Sequence, residues 1–407
     1  MPGSDRFSEL IAPFSRRGVD LGLERLQAAL AELGHPERRF AAVQVAGTNG
    51  KGSISTMLHT IGSAAGLRCG LYTSPHLLSW CERIRLPTGL ISEAALQTLL
   101  EDLQPLALRH DLTPFELVTA AAMRAFAESG VELAVLEVGL GGRLDATTVH
   151  PDRQVLAFAS IGLDHTEHLG PTLAAIAGEK AGVLHGAAVA VSGPQSPEAA
   201  AVLSAQATRC HCPLRWVEPL APAEQGGPVL GLRGDLQRLN AAVAAGAAQA
   251  LAERGWPIDA AAIEQGLRAA RWPGRLDLRH FEGRPLLVDG AHNPPAAAAL
   301  RHELDQHHQD SHQPRRWLIG MQRHKDAPAL LTSLLRPGDQ VRVVALPEEH
   351  QSWSTAELAQ ATGVAMDAAQ GDLREELTWL VDSGALPVAC GSLYLVAELL
   401  PLLQTTD

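Results

Sequence analysis

The chain has 407 residues, and its 45 acidic and 33 basic side chains give a net charge of −12 at pH 7. This length suggests about two or three domains. The 46% share of hydrophobic residues, with only 4% aromatic residues, fits an α/β protein with a large core. Because the negative charge repels phosphate backbones and anionic membrane surfaces, we expect neither a nucleic-acid partner nor a membrane partner.

The sequence also favours a cytoplasmic location. Residues 1–22 show no charged segment followed by an apolar one, and no apolar run reaches the roughly 20 residues that span a bilayer. The five cysteines are an odd number at scattered positions, which fits a reducing compartment rather than a disulfide framework. We expect a cytoplasmic monomer that acts on small molecules.

Apolar runs with strand character cover residues 40–45, 133–138, 155–161 and 187–192, and each precedes a loop and a helical pattern. Continuous apolar strands that alternate with helices predict a mostly parallel sheet covered on both faces. Ligands of such sheets bind at the carboxyl ends of the strands.

The segment 47–53 reads Gly-Thr-Asn-Gly-Lys-Gly-Ser and lies between the first of these strands and a helix that starts near Ile54. A glycine-rich turn in that position aims backbone N–H groups and the positive helix end at a polyphosphate, and Lys51 adds a point charge. The usual P-loop pattern has glycine where this chain has Val45 and a hydroxyl where it has Gly52, and the hydroxyl of Ser53 comes one residue late. We predict a nucleotide site; an ordinary strand-to-helix turn is the alternative.

Two helices are predicted next, at 235–252 and 260–270, with Asp235 as an N-cap and Gly255 past the end of the first. Residues 272–275 and 282–285 each contain proline and glycine and interrupt the pattern. Strand and helix signals resume at 285–289, 316–319, 340–346 and 386–389. We predict a first domain at 1–278 and a smaller Rossmann-like domain at 279–407, with catalysis in the cleft between them.

Six strings occur in order along the chain: GTNGKGS at 47–53, TSPHL at 73–77, LEVGLGGRLDAT at 136–147, LDHTEHLG at 163–170, EKAG at 179–182 and DGAHNP at 289–294. Together they resemble the folylpolyglutamate synthase/dihydrofolate synthase family of the Mur ligase superfamily, over essentially the whole chain. The resemblance implies a fold of Mur ligase type. A mostly parallel, P-loop-containing ATPase domain would precede a Rossmann-like C-terminal domain that carries the glutamate ligase part.

Members of that family phosphorylate a carboxylate with ATP, and the amino group of glutamate then attacks the acyl phosphate to give an amide, ADP and phosphate. The resemblance implies ATP and two Mg²⁺ ions as cofactors. It implies 7,8-dihydropteroate, reduced folates and L-glutamate as substrates, so that both dihydrofolate synthesis and extension of the glutamate tail are expected. Fixed cations suit this chemistry because the phosphoryl group and the tetrahedral intermediate concentrate negative charge.

The resemblance also assigns residues to nucleotide and metal. Catalytic roles fall to Lys51, His165, Lys180 and Arg275. The nucleotide ligands are Thr48, Asn49, Gly50, Lys51, Gly52, Ser53, Asn240, Arg275, Asp289 and His292. The metal ligands are Ser74, Glu137 and His165, with Asp164 expected to orient His165 through a hydrogen bond.

Lys180 matches a lysine that many family members carry in carbamylated form. A carbamate would turn an ammonium that repels Mg²⁺ into an anionic oxygen donor. An ion pair of Lys180 with Glu179 or with a substrate phosphate is the alternative.

For the acid substrate, the resemblance names residues in three segments: Gly18, Val19, Asp20, Leu21, Thr113, Pro114, Phe115, Glu116, Leu144, Asp145 and Ala146. Phe115 would stack on the pterin ring and Asp145 would bind its amino nitrogens; a core position is an equal alternative for Phe115. Thr148 departs from the family pattern, which often has Asn there.

Three other functions stay open. One is a ligase that only extends folate tails. Another is a cell-wall ligase of the same superfamily, although the TSPHL, LDHTEHLG and EKAG strings resemble the folate branch. The third is a regulator that binds ATP without turnover, which predicts a lost ligand, whereas Lys51, Ser74, Glu137, His165 and Lys180 are all present.

Overall fold

The structure is a computed structural model, and it describes residues 7–11, 14, 20–307, 313–347 and 351–405. Gly18 and Val19, two residues expected at the acid substrate, lie outside this described part. The chain divides into two compact units, Met1–Gly231 with Gln237–Arg271, and Leu232–Leu236 with Trp272–Asp407. The boundary expected from the sequence, after residue 278, lies a few residues further along the chain.

An eight-stranded sheet forms the centre of the first unit. Its strands are β1 (Ala41–Ala46), β2 (Cys69–Tyr72), β3 (Ile84–Leu86), β4 (Gly89–Leu90), β5 (Leu133–Glu137), β6 (Arg153–Phe158), β7 (Val189–Ser192) and β8 (Leu214–Trp216). Their order is β4-β3-β2-β5-β1-β6-β7-β8. The run from β2 to β8 is parallel, and β3 and β4 add an antiparallel edge, so the predicted mostly parallel sheet is confirmed.

Strand β1 lies in the middle of this sheet, and all of its residues are buried. Its register places Val45 opposite Glu137 of β5 and Ala157 of β6. Because these strands and β2 are parallel, the loops that follow them leave the same edge of the sheet. That edge therefore carries the 47–53 segment together with the loops after β2, β5 and β6.

The helices of the first unit are α1 (Ser8–Ile11), α2 (Glu24–Glu32), α3 (Lys51–Ala64), α4 (Glu93–His110), α5 (Pro114–Glu128), α6 (Thr166–Leu169), α7 (Leu173–Ala181), α8 (Pro197–Arg209), α9 (Asp235–Glu253) and α10 (Ala260–Ala269). Helices α9 and α10 confirm the two helices predicted there, with Asp235 as the first helical residue of α9. Polar capping residues mark where other helices begin. At α5, Thr113 and Glu116 form a reciprocal capping box, which satisfies N–H groups that have no partner inside the helix.

Two apolar clusters lie along β1. One joins Ala42 to residues of α4 and α5, among them Leu100, and the other joins Ala46 to residues of α7 and α8. Gln44 lies between these alanines and is completely buried. A polar side chain in that position needs hydrogen-bond partners, because an unpaired buried amide is costly.

The second unit contains a seven-stranded sheet of order β13-β12-β11-β14-β10-β9-β15. Its strands are β9 (Asp277–Phe281), β10 (Arg284–Val288), β11 (Arg316–Ile319), β12 (Gln340–Val343), β13 (Asp367–Ala368), β14 (Val388–Cys390) and β15 (Gln404–Thr405). Its helices are α11 (Pro294–His307), α12 (Ala327–Leu334), α13 (Thr355–Thr362), α14 (Leu373–Val381) and α15 (Leu393–Leu399). The run from β13 to β10 is parallel, which confirms the predicted Rossmann-like arrangement, while β9 and β15 are antiparallel. In the described part of both units, no helix has the length and apolar character needed to cross a bilayer.

Two leucines of α4 provide a matched test of this packing. Leu100 is fully buried in the cluster around Ala42, whereas Leu108 on the same helix is 66% exposed. We expect Leu100→Ala to lower the free energy of unfolding by about 2–5 kcal/mol, because a cavity replaces the side chain. Leu108→Ala should change it by less than about 0.5 kcal/mol. Urea denaturation followed by circular dichroism measures both free energies of unfolding. Equal losses for the two variants would contradict the assignment of Leu100 to the core.

Candidate functional site

The 47–53 segment connects the carboxyl end of β1 to the start of α3, as the sequence predicts. Gly50 is the N-cap residue, and the first hydrogen bond of the helix runs from Ile54 N to Gly50 O at 3.0 Å. The backbone N–H groups of Lys51, Gly52 and Ser53 precede that bond, so they point out of the positive end of the helix. This arrangement can bind an anion such as a phosphate.

Two positions of the loop require glycine. Gly47 has a φ of 138°, and a Cβ there would lie 2.6 Å from Ala159 Cβ and 2.9 Å from Ala159 O. Gly50 has a φ of 101°, and a Cβ there would lie 2.4 Å from Oδ1 of Asn240 on α9. The loop therefore lies directly against the residue that follows β6 and against α9, in a backbone conformation that side chains disfavour.

Hydrogen bonds from the segment after β6 hold the phosphate loop in place. Ser160 O accepts from Thr48 N at 2.8 Å and from Asn49 N at 3.3 Å, and Ser160 Oγ donates to Asn49 O at 3.0 Å. Thr48 Oγ1 exchanges hydrogen bonds of 3.1 Å with the N–H and C=O groups of Gly162. Thr48 and Asn49 therefore anchor the loop, and their own contact with nucleotide stays a prediction.

Two lysine side chains end at this loop. Lys51 Nζ donates to Thr48 O at 3.2 Å, and Lys180 Nζ on α7 donates to Gly47 O at 2.8 Å. Lys180 is 5% exposed, and burial, reinforced by the charge of Lys51, lowers its pKa to about 7. The loop is thus flanked by two cationic side chains, one of which is partly neutral near pH 7.

The alternative ion pair of Lys180 with Glu179 is not formed. Glu179 instead accepts a hydrogen bond from Arg143 at 2.7 Å, between its Oε1 and the guanidinium. Lys180 Nζ donates instead to Gly47 O of the phosphate loop.

Glu137 and Ser74 lie together at the same edge of the sheet. Glu137 is the last residue of β5 and is 4% exposed, and its Oε2 accepts a hydrogen bond of 3.3 Å from Ser74 N in the loop after β2. The sheet order places β2 beside β5, and β5 beside the strand that leads into the phosphate loop. The topology therefore brings together the two expected metal ligands, which are separated in sequence.

His165 lies at the start of α6 with a φ of 51°, and its side chain is 39% exposed. Its ring nitrogens lie 3.9 Å from Asp164 Oδ2 and 3.8 Å from Glu167 Oε1, too far for hydrogen bonds. Asp164 Oδ1 instead accepts the backbone N–H of His165 at 3.0 Å. Asp164 therefore bonds to the backbone of His165, and orientation of the imidazole by Asp164 stays a prediction.

The donors present fit a magnesium ion that is bound together with nucleotide. Across the described residues, no group of three or more His, Cys, Asp or Glu side chains is arranged to hold a metal by itself. Mg²⁺ is commonly bound through one or two carboxylates, with substrate phosphates and water completing its shell. Glu137 supplies such a carboxylate, and Ser74 supplies a hydroxyl oxygen.

The expected substrate segment 113–116 forms the start of α5. Phe115 is half-buried, its ring centroid lies 5.9 Å from that of Tyr72, and a Cβ at Gly139 would lie 2.6 Å from Phe115 Cζ. Phe115 thus packs on the turn that follows Glu137. The contact agrees with the core alternative for this ring, and stacking on a pterin stays a prediction.

Arg25 on α2 is a residue that the motifs did not reveal. Its guanidinium donates to Glu116 Oε2 at 3.2 Å, to Asp20 Oδ2 at 3.0 Å and to Asp20 O at 2.7 Å. It therefore joins two of the expected substrate segments, 18–21 and 113–116. No local sequence signal marks this arginine, because its partner Glu116 lies 91 residues away along the chain.

Asp145 is placed differently from its expected role. It is 1% exposed; its Oδ2 accepts from Gly139 N at 2.9 Å and Leu140 N at 3.0 Å, and its Oδ1 accepts from Thr147 N at 3.0 Å and Thr147 Oγ1 at 2.6 Å. Burial raises its pKa, and these hydrogen bonds oppose the rise. A carboxylate offers about four acceptor sites, and the chain uses them all. Direct binding of pterin amino groups by Asp145 is therefore not supported, while residues 144 and 146 stay predicted substrate contacts.

Asn240 is 2% exposed, and its Nδ2 donates to Gln237 Oε1 at 3.0 Å on the same helix. Its close approach to Gly50 places it behind the phosphate loop. Asn240 therefore makes a local hydrogen bond within α9, and its contact with nucleotide stays a prediction.

In the second unit, the predicted nucleotide residues cluster after β10. Asp289 is 8% exposed, accepts two backbone N–H bonds of 2.8 Å, and has its pKa raised by burial against the opposing charge of Arg275. A Cβ at Gly290 would lie 2.2 Å from Arg275 NH1, and Nδ1 of His292 lies 2.7 Å from Gly290 O. The unit brings Arg275, Asp289 and His292 together, and their contacts with nucleotide stay predictions.

Known proteins with similar sequences decide the family. Residues 276–402 match the family model described as dihydrofolate synthetase, C-terminal domain. A probable dihydrofolate synthetase of Schizosaccharomyces pombe is 32% identical over 409 residues, which cover 94% of this chain and 98% of that relative. The chain belongs to the folylpolyglutamate synthase/dihydrofolate synthase family.

Solved structures of this family share the fold of the whole chain. A Mycobacterium tuberculosis folylpolyglutamate synthase complexed with ADP has a TM-score of 0.87 and 30% identity, and the match covers 98% of this chain and 97% of that one. A bifunctional folylpolyglutamate synthase/dihydrofolate synthase from Yersinia pestis, complexed with AMPPNP and Mn ion, has a TM-score of 0.83 and 30% identity, with 98% of each chain covered. The resemblance read from the motifs is confirmed, and the cell-wall ligase alternative is disfavoured.

For this family member, Lys51→Ala is expected to abolish ATP turnover without unfolding the protein. Among the described residues, the Lys51 ammonium donates only to Thr48 O of its own loop, so its loss should leave the core intact. Removal of one fixed cation at a transferring phosphoryl group should lower the rate by about 100-fold or more. ADP release measures the rate and circular dichroism checks the fold; turnover near the wild-type level would show that the assignment of the phosphate loop is wrong.

The lowered pKa of Lys180 predicts that the stability of this protein depends on pH. Its pKa falls from the ordinary value of 10.5 to about 7 in the folded chain, so between those values the unfolded chain binds more protons and the free energy of unfolding rises with pH. Relative to Lys180→Met, the wild type should gain roughly 2 kcal/mol between pH 7 and pH 9. Urea denaturation at both pH values measures this gain, and parallel pH profiles for the two proteins would refute the shift.

Proposed function

We propose that this protein is an ATP- and Mg²⁺-dependent ligase that joins L-glutamate to 7,8-dihydropteroate and extends the glutamate tail of reduced folates. The observation that carries the proposal is the convergence of phosphate loop, lysines and metal ligands at one edge of the first sheet. The activities for which the relatives are named support it, since they include dihydrofolate synthetase, folylpolyglutamate synthase and the bifunctional enzyme.

The reaction proceeds in two transfers. The γ-phosphoryl group of ATP moves to the carboxylate of the acid substrate, which forms an acyl phosphate and ADP. The α-amino group of glutamate then attacks the acyl carbon, the nitrogen loses a proton, and phosphate leaves as the amide forms. Phosphorylation is needed because a free carboxylate has no good leaving group.

The phosphate loop binds and stabilises the phosphates during the first transfer. The N–H groups of Lys51, Gly52 and Ser53 bind phosphate oxygens at the positive end of α3. The Lys51 ammonium exchanges its bond to Thr48 O for a phosphate oxygen, and so it offsets the charge that develops during transfer. Thr48 and Asn49 keep the loop in position through their bonds to Ser160.

The metal would be held by Ser74, Glu137 and His165. When bound, Mg²⁺ neutralises phosphate charge and orients the phosphoryl group for transfer. Because these side chains do not form a complete set of ligands by themselves, metal affinity should depend on nucleotide.

Lys180 is proposed to carry a carbamate in the working enzyme. The neutral amine attacks CO₂ and loses a proton, and a pKa of about 7 leaves much of this side chain neutral at physiological pH. The carbamate would replace the bond to Gly47 O with an anionic oxygen for the second metal ion. An intact mass that shows only the unmodified chain would remove this part of the proposal.

In the second unit, the chemistry of the cluster after β10 suits a nucleotide. Arg275 presents a planar cation that matches a phosphate group. Asp289 has about two acceptor sites beyond those used by the chain, which suit ribose hydroxyls. His292 and, in the first unit, Asn240 are proposed as further nucleotide contacts.

Steady-state assays of ADP release test the function with the purified chain, ATP, Mg²⁺ and L-glutamate. We expect release that requires glutamate and an acid substrate together, with 7,8-dihydropteroate and with tetrahydrofolate each serving as that acid. Omission of glutamate, or of the acid, is the internal control.

The substrates separate the remaining alternatives. ADP release with tetrahydrofolate but not with 7,8-dihydropteroate would restrict the enzyme to tail extension. Absence of glutamate-dependent release with both acids would overturn the ligase assignment and favour a nucleotide-binding regulator.

A further inference from the structure

Gln44 is a completely buried amide in the central strand β1, and none of the chemistry above uses it. Its Nε2 donates to Thr147 Oγ1 and to Thr148 Oγ1, each at 2.8 Å, and its Oε1 accepts from Arg153 NH1 at 2.8 Å. The carbonyl and both N–H groups of the amide are therefore engaged. Complete pairing of this kind stabilises one specific orientation of the Gln44 side chain, a polar group that lies between two apolar clusters.

Arg153 determines which way the amide faces. Its guanidinium can only donate, so the carbonyl oxygen of Gln44 must face it and the NH₂ group must face the threonines. Arg153 is itself held by bonds to His150 O at 2.9 Å and Val183 O at 3.0 Å. The direction of every bond that leaves Gln44 is thereby determined.

The two threonines lead to different partners. Thr147 Oγ1 donates to Asp145 Oδ1 at 2.6 Å, whereas Thr148 Oγ1 donates to Gly142 O at 2.7 Å. A hydroxyl has one hydrogen, so each threonine that accepts from Gln44 passes a single bond onward. Only the Thr147 branch reaches the carboxylate of Asp145.

That branch ends beside the proposed metal ligand. Asp145 Oδ2 holds the N–H groups of Gly139 and Leu140, the residues that follow Glu137 and Val138 at the end of β5. A continuous series of hydrogen bonds therefore runs from β1, which continues into the phosphate loop, to the 139–146 turn. This turn includes the predicted substrate residues 144–146.

We propose that Gln44 and Thr147 are positioning residues for the acid substrate. They hold Asp145, which in turn holds the 139–146 turn in the shape that receives the pteroate, so that its carboxylate meets the phosphoryl group. The proposal rests on the proposed function, since the substrate contacts of the turn come from it. Asp145 acts here through the backbone N–H groups of Gly139 and Leu140, without touching the ring.

Thr147 provides the test, because it bonds to Gln44 at 2.8 Å and to Asp145, whereas Thr148 bonds to Gly142 O of the same turn and cannot be the control. We expect Thr147→Val to raise the KM and the Kd for 7,8-dihydropteroate by about tenfold, with the KM for ATP changed by less than about twofold. Thr208→Val removes the same kind of hydroxyl from an exposed position on α8, where Thr208 Oγ1 donates to Ser204 O at 2.9 Å, and it should leave the KM for 7,8-dihydropteroate within about twofold of the wild type. Thr147→Ser, which keeps the hydroxyl, should restore the wild-type KM.

Steady-state kinetics give the KM values, and isothermal titration calorimetry with 7,8-dihydropteroate and ADP gives the Kd independently of turnover. Gln44→Met removes both branches with a side chain of similar shape and should raise the KM at least as much as Thr147→Val. If that variant does not fold, the comparison of Thr147→Val with Thr147→Ser and Thr208→Val still decides. Thermal unfolding of each variant separates loss of stability from loss of substrate affinity.

A KM for Thr147→Val at the wild-type level, or one equal to that of Thr208→Val, would overturn the proposal and leave the network a purely structural one. Failure of the proposed function looks different. In that case the wild type itself shows no ADP release with 7,8-dihydropteroate and no heat of binding, and the positioning role falls with it.

Discussion

The close approach between the phosphate loop and the segment after β6 is the constraint on which the site depends. Gly47 lies against Ala159, and two amides of the loop are bonded to Ser160 O. These contacts leave the start of α3 as the place where N–H groups face an anion. The same approach explains why the loop tolerates a departure from the usual pattern, since its position is set by backbone contacts rather than by the residue at Val45.

The charge at the phosphate loop is opposite in sign to the net charge of the chain. The protein is acidic overall, with a net charge of −12, yet two of its lysines end at one loop. Burial of Lys180 beside Lys51 is unfavourable for the folded chain, as the lowered pKa of Lys180 shows. Polyphosphate is the kind of ligand that relieves this repulsion, so the site trades stability for affinity.

The 139–148 segment links the parts of the first unit that carry chemistry. It follows Glu137, it is held through Asp145 and Gln44, and its Gly142 lies close to the backbone of Lys180, where a Cβ would be 3.1 Å from Lys180 Cα. A turn with so many fixed backbone groups has little freedom left to lose, which suits the substrate contacts proposed for it. Preorganisation of this kind favours transfer between two substrates that must meet in one orientation.

The sequence by itself determined most of the parallel strands, the helices α3, α9 and α10, and the family, because apolar runs and motifs are local signals. It did not predict the parallel strand β2 or the long helices α4 and α5. The short strands β3, β4 and β15 escaped it, since two or three partly exposed residues show no periodicity. Only the tertiary structure decided that Ser160 anchors the loop, that Arg25 joins two substrate segments, and that the acceptors of Asp145 are already occupied. The contacts of Ser160 with the loop and of Arg25 with Glu116 join residues far apart in the chain, and a hydrogen-bonding side chain carries no mark of its distant partner. The partners of Asp145 are near it in sequence, but which of its oxygens they occupy depends on the folded shape of the turn.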